Sequence, residues 1–204
     1  MSEQNRRSDP VPRGYKPPQD LSPETRERLG AYEALVAHWA PRLDLIASGE
    51  LARFHERHVL DSLKALRLLD SLPAGPVVDV GSGAGLPGIP LALAGGTRRW
   101  TLLEPRRRRA AFLEEVVREL ELDTRVLALT AKQAEEAGER FVAATARALA
   151  PPPQAFEILT PLLEPQGVAI VWIGDSGELP QHAALWAPGL ATIPDMGTYR
   201  KKLE

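Results

Sequence analysis

The chain has 204 residues, of which 44% are hydrophobic, a net charge of −2 and no cysteine. This length suits one α/β domain with a sizeable core and a small extension. The lack of cysteine excludes disulfides, thiolate catalysis and zinc–thiolate sites. No stretch approaches the roughly 18 to 20 apolar residues of a membrane span, and the polar start lacks the apolar region of a secretory signal. We therefore expect a soluble cytoplasmic protein with no membrane association.

The first part of the chain predicts a tail followed by helices. Residues 1–20 are polar and proline-rich, so we expect them to be disordered. Ser22-Pro23 then opens a helix whose apolar side chains recur at helical spacing to about residue 39, and Pro41 is expected to end it. A second amphipathic helix is predicted over 51–70. Residues 21–72 thus form an N-terminal helical extension, which must pack on the rest of the chain because two helices cannot bury themselves.

Residues 73–204 alternate strand and helix patterns, which predicts a mostly parallel sheet covered by helices on both faces. The predicted strands are 76–80, 99–104, 124–129, 141–146 and 167–173. The predicted helices are 87–94, 105–121, 131–138, 155–163 and 178–186. Residues 190–203 are weakly patterned and are expected to supply short edge strands.

The most informative motif, residues 77–90, reads Val-Val-Asp-Val-Gly-Ser-Gly-Ala-Gly-Leu-Pro-Gly-Ile-Pro. It predicts a buried strand, a glycine-rich turn and a proline-started helix, which is typical of a nucleotide-type cofactor site. Gly81, Gly83 and Gly85 let backbone approach a ligand closely. Asp79 lies near the carboxyl end of the strand, where open α/β sheets bind their ligands.

Two cofactors fit this loop. A Gly-x-Gly-x-x-Gly run at 83–88 permits a dinucleotide. Asp79 and the three alternating glycines favour S-adenosylmethionine, because acidic groups suit its ammonium and sulfonium charges, whereas a pyrophosphate prefers an uncluttered helix N-terminus. A turn that binds nothing is the third alternative, disfavoured because the glycines cost chain entropy without adding packing.

Charged residues around the next strand extend the candidate site. Glu104 ends that strand, so its carboxylate is expected at the same sheet edge as Asp79, in the position of a ribose ligand; a helix-dipole charge is the alternative. Arg106, Arg107, Arg108 and Arg109 follow in the first turn of a helix, where cations are disfavoured, which favours an anionic partner. A solvated helix face explains the arginine run equally well.

These residues resemble the ribosomal RNA small-subunit methyltransferase G family, also called glucose-inhibited division protein B. The family pattern Asp-x-Gly-x-Gly-x-Gly-hydrophobic-Pro-Gly-hydrophobic-Pro matches residues 79–90 throughout. Further segments agree in order, at 57–63, at 102–104 with 112–113, and at 145–151. The resemblance implies a Rossmann-like, S-adenosylmethionine-dependent methyltransferase fold.

The resemblance also implies the site and the reaction. The cofactor contacts carried over by position are Gly81, Leu86, Ala134, Glu135 and Arg147, beside Asp79, Gly83, Gly85 and Glu104 from the residues themselves. The implied reaction is methyl transfer to N7 of a guanine in 16S ribosomal RNA. This nitrogen is a lone-pair acceptor without a proton, so no catalytic base is expected. Arg106 to Arg109 are the candidate RNA contacts.

Two alternatives stay open because the chain departs from the family pattern at Asp44-Leu45-Ile46 and at Ile173-Gly174. One is a cofactor-binding and RNA-binding paralogue without catalysis, and the other is a small-molecule methyltransferase. His55 and His58 are spaced to share a helix face, but with two further histidines and no cysteine we assign no metal site. The partner implied by the resemblance is 16S ribosomal RNA or the small ribosomal subunit, bound by a monomer.

Overall fold

The computed structural model describes residues 21–47 and 49–172, together with the backbone of 196–200. The predicted disordered tail 1–20 and the predicted helix 178–186 lie outside these residues. Within the described residues, six strands form one sheet in the order β3-β2-β1-β4-β5-β6. They are β1 Val77–Val80, β2 Trp100–Leu103, β3 Thr124–Leu127, β4 Phe141–Arg147, β5 Leu163–Trp172 and β6 Met196–Arg200.

Strands β1 to β5 are parallel, and β6 pairs antiparallel with β5 at one edge. The predicted mostly parallel sheet is therefore confirmed, as is a short edge strand within 190–203. Strand order reverses beside β1, which pairs with β2 on one side and β4 on the other. A crevice at such a switch point, outside the carboxyl ends of the strands, is where open α/β sheets bind ligands.

Helices cover both faces of the sheet. They are α1 Pro23–Leu43, α2 Leu60–Ser62, α3 Leu66–Asp70, α4 Gly88–Ala94, α5 Arg107–Glu119, α6 Ala131–Glu136 and α7 Pro152–Leu159. One core cluster joins the sheet to α1, α3, α4 and α5, and includes Leu29, Val36, Val77 and Leu102. The other lies between the sheet and α6 and α7, and includes Val78, Ala134 and Phe156. The alternation of Val77 and Val78 between these cores follows from the two-residue repeat of a strand.

The prediction that Pro41 ends the first helix is wrong, because α1 continues to Leu43 with Pro41 inside it. A proline in the last turn removes only one helical N–H donor. The Arg42 guanidinium also donates to the His38 carbonyl at 3.2 Å, near the C-terminal end of the helix. The chain leaves the helix at Asp44, whose φ is +48°.

Residues 51–70 do not form the single regular helix that the sequence predicts. This broken helix runs through a 3-10 turn at Leu51–Arg53, a π-helical turn at His55–Val59, α2, a second 3-10 turn at Leu63–Ala65, and α3. Its apolar periodicity is real, since Phe54, Val59 and Leu63 are buried. The spacing of apolar residues does not reveal a π turn. Such a turn adds one residue to a helix and often marks a functional position.

The boundaries of α7 and β5 also differ from the predicted ones. Helix α7 begins at Pro152 and ends at Leu159, and a 3-10 turn over Thr160–Leu162 leads directly into β5, which starts four residues before the predicted 167. The register of β5 against β4 shifts between Phe141 and Ala143. Gln166, with a φ of +66°, lies in this irregular part, so Pro165 and Gly167 there are compatible with a strand.

Candidate active site

The glycine loop follows β1 at the switch point of the sheet. Gly81, Gly83 and Gly85 have φ values of +72°, +55° and +98°, as the sequence predicts. A Cβ on Gly81 would lie 2.8 Å from Leu149 Cδ1, and one on Gly85 would lie 2.6 Å from Ile89 Cγ1. At Gly83 the nearest atom would be 3.8 Å away. The loop is thus tightly packed at two glycines and open at the middle one.

Asp79 is fully buried beneath this loop. Thr145 lies beside Asp79 on the neighbouring strand β4 and donates its hydroxyl to Asp79 Oδ1 at 2.9 Å. The Gly88 N–H donates to Asp79 Oδ2 at 3.2 Å. Gly88 has no room for a side chain, because a Cβ there would lie 2.5 Å from Leu102 Cδ2 and 2.9 Å from Asp79 Oδ2. Asp79 therefore ties β4 and the start of α4 to β1. Burial raises the pKa of its carboxyl to about 6.

Glu104 lies at the same sheet edge, as predicted, and binds the opposite side of the loop. Its Oε2 accepts the Gly83 N–H at 3.0 Å, and its Oε1 accepts the Arg106 N–H at 2.9 Å. The residue is only 4% exposed. Each oxygen keeps a further lone pair for a ligand hydroxyl. In the described structure Glu104 thus fixes Gly83 and the backbone of Arg106, the residue that precedes α5.

The buried residue Tyr32 of α1 also holds the loop, and the sequence did not point to it. Its hydroxyl donates to the Ala84 carbonyl at 2.9 Å, and burial raises the pKa of this phenol well above its ordinary value. In the sequence Tyr32 is one apolar position in a helical repeat, and its loop partner is 52 residues away. No local signal could have identified the contact.

Arg147 ends β4 and joins the sheet to the broken helix. Its guanidinium donates to the Arg57 carbonyl at 3.0 Å, to the His58 carbonyl at 3.2 Å and to His58 Nδ1 at 2.8 Å, and it lies 3.5 Å from Asp61 Oδ2. The segments 57–63 and 145–151, noted separately in the sequence, therefore meet at this edge. The role of His58 in this contact was missed, because its arginine partner is 89 residues away.

The four arginines at 106–109 fall into two pairs with different contacts. Arg108 donates to the Arg42 carbonyl and Arg109 to the Asp44 carbonyl, at the C-terminal end of α1, where the helix dipole favours cations. The Arg109 guanidinium also comes within 4.0 Å of a Cβ built on Gly83. Arg106 and Arg107 are exposed, and among the described residues no ion pair within 4.0 Å is found for either.

The remaining predicted site residues lie on α6 and in the glycine loop. Thr130 and Gln133 form a reciprocal capping box that starts α6 directly after the carboxyl end of β3. The Ala134 methyl group is fully buried in the core, whereas Glu135 is half-buried. Leu86 is 9% exposed and closes the glycine loop before α4.

Within the described ranges, no cluster of three or more His, Cys, Asp or Glu side chains is arranged to hold a metal ion. In the same part of the chain, no helix is both long enough and apolar enough to span a membrane.

The sheet order, the glycine loop at the switch point and the two buried acids beside it define a Rossmann-like α/β fold of the methyltransferase class. A 16S rRNA methyltransferase of T. thermophilus, solved with AdoMet and guanosine, has this fold, with a TM-score of 0.54 at 17% identity over 72% of this chain and 43% of that one. A variant of MtNAS solved with S-adenosylmethionine gives 0.50 at 20% identity over 81% and 64%.

The chain belongs to the rRNA small subunit methyltransferase G family, whose model matches residues 25–184. The relative of that name from Granulibacter bethesdensis is 40% identical over 81% of this chain and 77% of its own. The one from Acidiphilium cryptum is 40% identical over 81% of both chains. The one from Gluconobacter oxydans is 35% identical over 85% and 89%. The family resemblance of residues 79–90 is thereby confirmed.

Proposed function

We propose that this protein transfers the methyl group of S-adenosylmethionine to N7 of a guanine in 16S ribosomal RNA. The observation that carries the proposal is membership in a family named for methylating small-subunit rRNA. The open glycine loop at the switch point of the sheet supports it. The proposed setting is a cytoplasmic monomer acting on the small ribosomal subunit or its RNA.

The residues present fit this cofactor. A Cβ on Gly83 would meet no atom closer than 3.8 Å, which leaves space for a ligand in front of the loop. Glu104, whose carboxylate has free lone pairs beside this loop, is the proposed acceptor for the ribose hydroxyls. Gly81, Gly85 and Leu86 shape the loop. Asp79 acts from beneath the loop rather than from its open side. Ala134, Glu135 and Arg147 are the proposed contacts from α6 and β4.

The bound cofactor would supply an electrophilic methyl group on a sulfonium. The protein's contribution is positioning, because N7 of guanine carries a lone pair and no proton that a base would have to remove. The glycine loop, held by Tyr32 and Glu104, would fix one reactant, and the guanine pocket is proposed to lie between the broken helix and the start of α5. Exclusion of water from the site strengthens the interaction of its fixed dipoles with the reacting charges.

The RNA would approach along the start of α5. Arg106 and Arg107 are exposed without carboxylate partners within the described residues, and Arg42, Arg108 and Arg109 add positive charge beside them. Such a patch binds phosphates even on a protein of slightly negative net charge. Because A-form RNA hides N7 in a deep, narrow groove, the target guanine should lie in a loop or an opened helix.

The test is transfer of a labelled methyl group from S-adenosylmethionine to three substrates: unmethylated 30S particles, naked 16S RNA and a metabolite mixture. We expect label in RNA, at guanine N7. Gly83→Val should abolish transfer by filling the open loop, whereas Gly96→Val is the matched control, since Gly96 also has a positive φ of +72° and open surroundings but lies between α4 and β2. Label only in metabolites would favour the small-molecule alternative. Cofactor and RNA binding without label would favour the non-catalytic paralogue.

A further inference from the structure

His58 lies in the π-helical turn of the broken helix, between two charged side chains. Its Nδ1 is 2.8 Å from Arg147 Nη2, and its Nε2 is 3.2 Å from Glu50 Oε2. A guanidinium only donates hydrogen bonds, so Nδ1 must be an unprotonated acceptor. Nε2 then carries the proton and donates it to Glu50. The two partners together select one neutral tautomer of the ring.

The same contact fixes Arg147. The guanidinium meets the broken helix at two carbonyls, at His58 Nδ1 and near Asp61, while its own backbone lies at the carboxyl end of β4. The bond to His58 Nδ1 is lost when the imidazole takes up a second proton. A second proton on the ring would place an N–H and a positive charge against the guanidinium.

We propose that His58 is a positioning residue of the cofactor site, which holds Arg147 in place while its ring is neutral and releases it when Nδ1 is protonated. The inference rests on the proposed function, because it takes Arg147 as a wall of the S-adenosylmethionine site. Cofactor affinity should consequently fall as the pH falls through the titration of His58.

The charges around His58 agree with a neutral ring at neutral pH. They come from Glu50 before the broken helix, from Arg57 and Asp61 on it, and from Arg147 on β4. Burial, and next the charge of Arg147, lower the pKa of His58 below 6.5, and the Glu50 carboxylate opposes them. The Phe54 ring, with its centroid 5.4 Å away, covers another side of the imidazole.

Two amide substitutions separate the two bonds of the ring. In His58→Asn the side-chain oxygen can replace Nδ1 as the acceptor for Arg147, and nothing titrates. In His58→Gln the side-chain amide can replace Nε2 as the donor to Glu50, and the acceptor for Arg147 is lost. Calorimetry with S-adenosylmethionine at about pH 8 and about pH 5, on the full chain, measures the effect of each.

We expect wild-type affinity to weaken about tenfold between the two pH values, the order of effect of one charge-assisted hydrogen bond. His58→Asn should bind at about pH 8 like the wild type and lose this pH dependence. His58→Gln should bind about tenfold more weakly already at about pH 8. Asp79 also titrates in this range, but it is unchanged in all three proteins, so the comparison between them isolates His58.

The inference is overturned if His58→Gln binds like the wild type at about pH 8, or if His58→Asn keeps the wild-type pH profile. A purely structural role would lower the thermal stability of both variants and leave cofactor affinity unchanged, which also contradicts the inference. Absence of cofactor binding by the wild type at about pH 8 would overturn the proposed function as well. The two failures are therefore distinguishable.

Discussion

Asp79 and Glu104 are both buried acids beside the glycine loop, yet their surroundings differ. Asp79 has both oxygens occupied, by Thr145 and by the Gly88 N–H, inside the sheet. Glu104 accepts two backbone N–H groups at the sheet edge. For Asp79, burial outweighs the hydrogen bonds that stabilise its charged form, and its pKa is raised to about 6.

The buried Asp79 should make stability depend on pH. Its pKa in the folded protein is raised from 3.8 to about 6, so its favourable contribution is fully present below pH 3.8 and is lost as the pH rises through about 6. We expect the free energy of unfolding to lose at most about 3 kcal/mol from this group over that range. Urea unfolding of Asp79→Asn at several pH values should lack this loss. The exposed Asp70→Asn serves as control, and equal pH profiles for wild type and Asp79→Asn would contradict the expectation.

At the scale of elements, α1 belongs to the candidate site because Tyr32 reaches the glycine loop. The hydroxyl of Tyr32 is the polar end of an otherwise apolar contact between α1 and the core. Arg108 and Arg109 of α5 hold the C-terminal end of the same helix. Helix α1 therefore touches the loop and the start of α5, the two elements from which the proposed cofactor and RNA surfaces are built.

Tyr32→Phe should weaken both stability and cofactor binding. Loss of the hydroxyl leaves the Ala84 carbonyl without its donor in a buried position, which costs about 1 to 3 kcal/mol of unfolding free energy. The loop is then free to move, so S-adenosylmethionine affinity should fall severalfold in calorimetry. Ser71→Ala, which also removes a hydroxyl-to-carbonyl bond but at the end of α3, should leave the affinity unchanged. Wild-type affinity in Tyr32→Phe would show that the contact does not shape the site.

At the scale of the whole molecule, charge is distributed unevenly. The net charge is only −2. Arginines nevertheless cluster where the C-terminal end of α1 meets the start of α5. Because Arg108 and Arg109 bond to carbonyls of α1, removing them would disturb the fold as well as the surface. Arg106 and Arg107 are the better probes of RNA binding.

Replacing Arg106 and Arg107 with glutamine should lower the slope of log RNA affinity against log salt by nearly one unit per lost phosphate contact. The measurement is RNA binding at a series of salt concentrations, and cofactor affinity should barely change. Arg118→Gln removes a charge at the other end of α5, where Arg118 pairs with Glu119 at 2.8 Å, and should keep the wild-type slope. An unchanged slope in the double variant would show that Arg106 and Arg107 belong to a solvated helix face and do not contact RNA.

The sequence by itself determined the fold class, the order of strands and helices and the glycine loop. These features depend on local patterns: apolar periodicity, prolines at helix starts, and the short spacing of Gly81, Gly83 and Gly85, whose positive φ values the structure confirms. The family-type segments at 57–63 and 145–151 were also visible in the sequence. The Arg147 contacts that join these segments were not.

Only the tertiary structure decided which side chains meet. The contacts of Tyr32 with Ala84 and of Arg147 with His58 span 52 and 89 residues, so no local pattern encodes them. The π turn around His58 and the continuation of α1 past Pro41 likewise depend on packing that overrides local propensity. The orientation of Asp79 into the sheet follows from its register opposite Thr145. Local sequence patterns determine most of the elements, whereas chain packing determines their irregularities and the partners that give each polar residue its role.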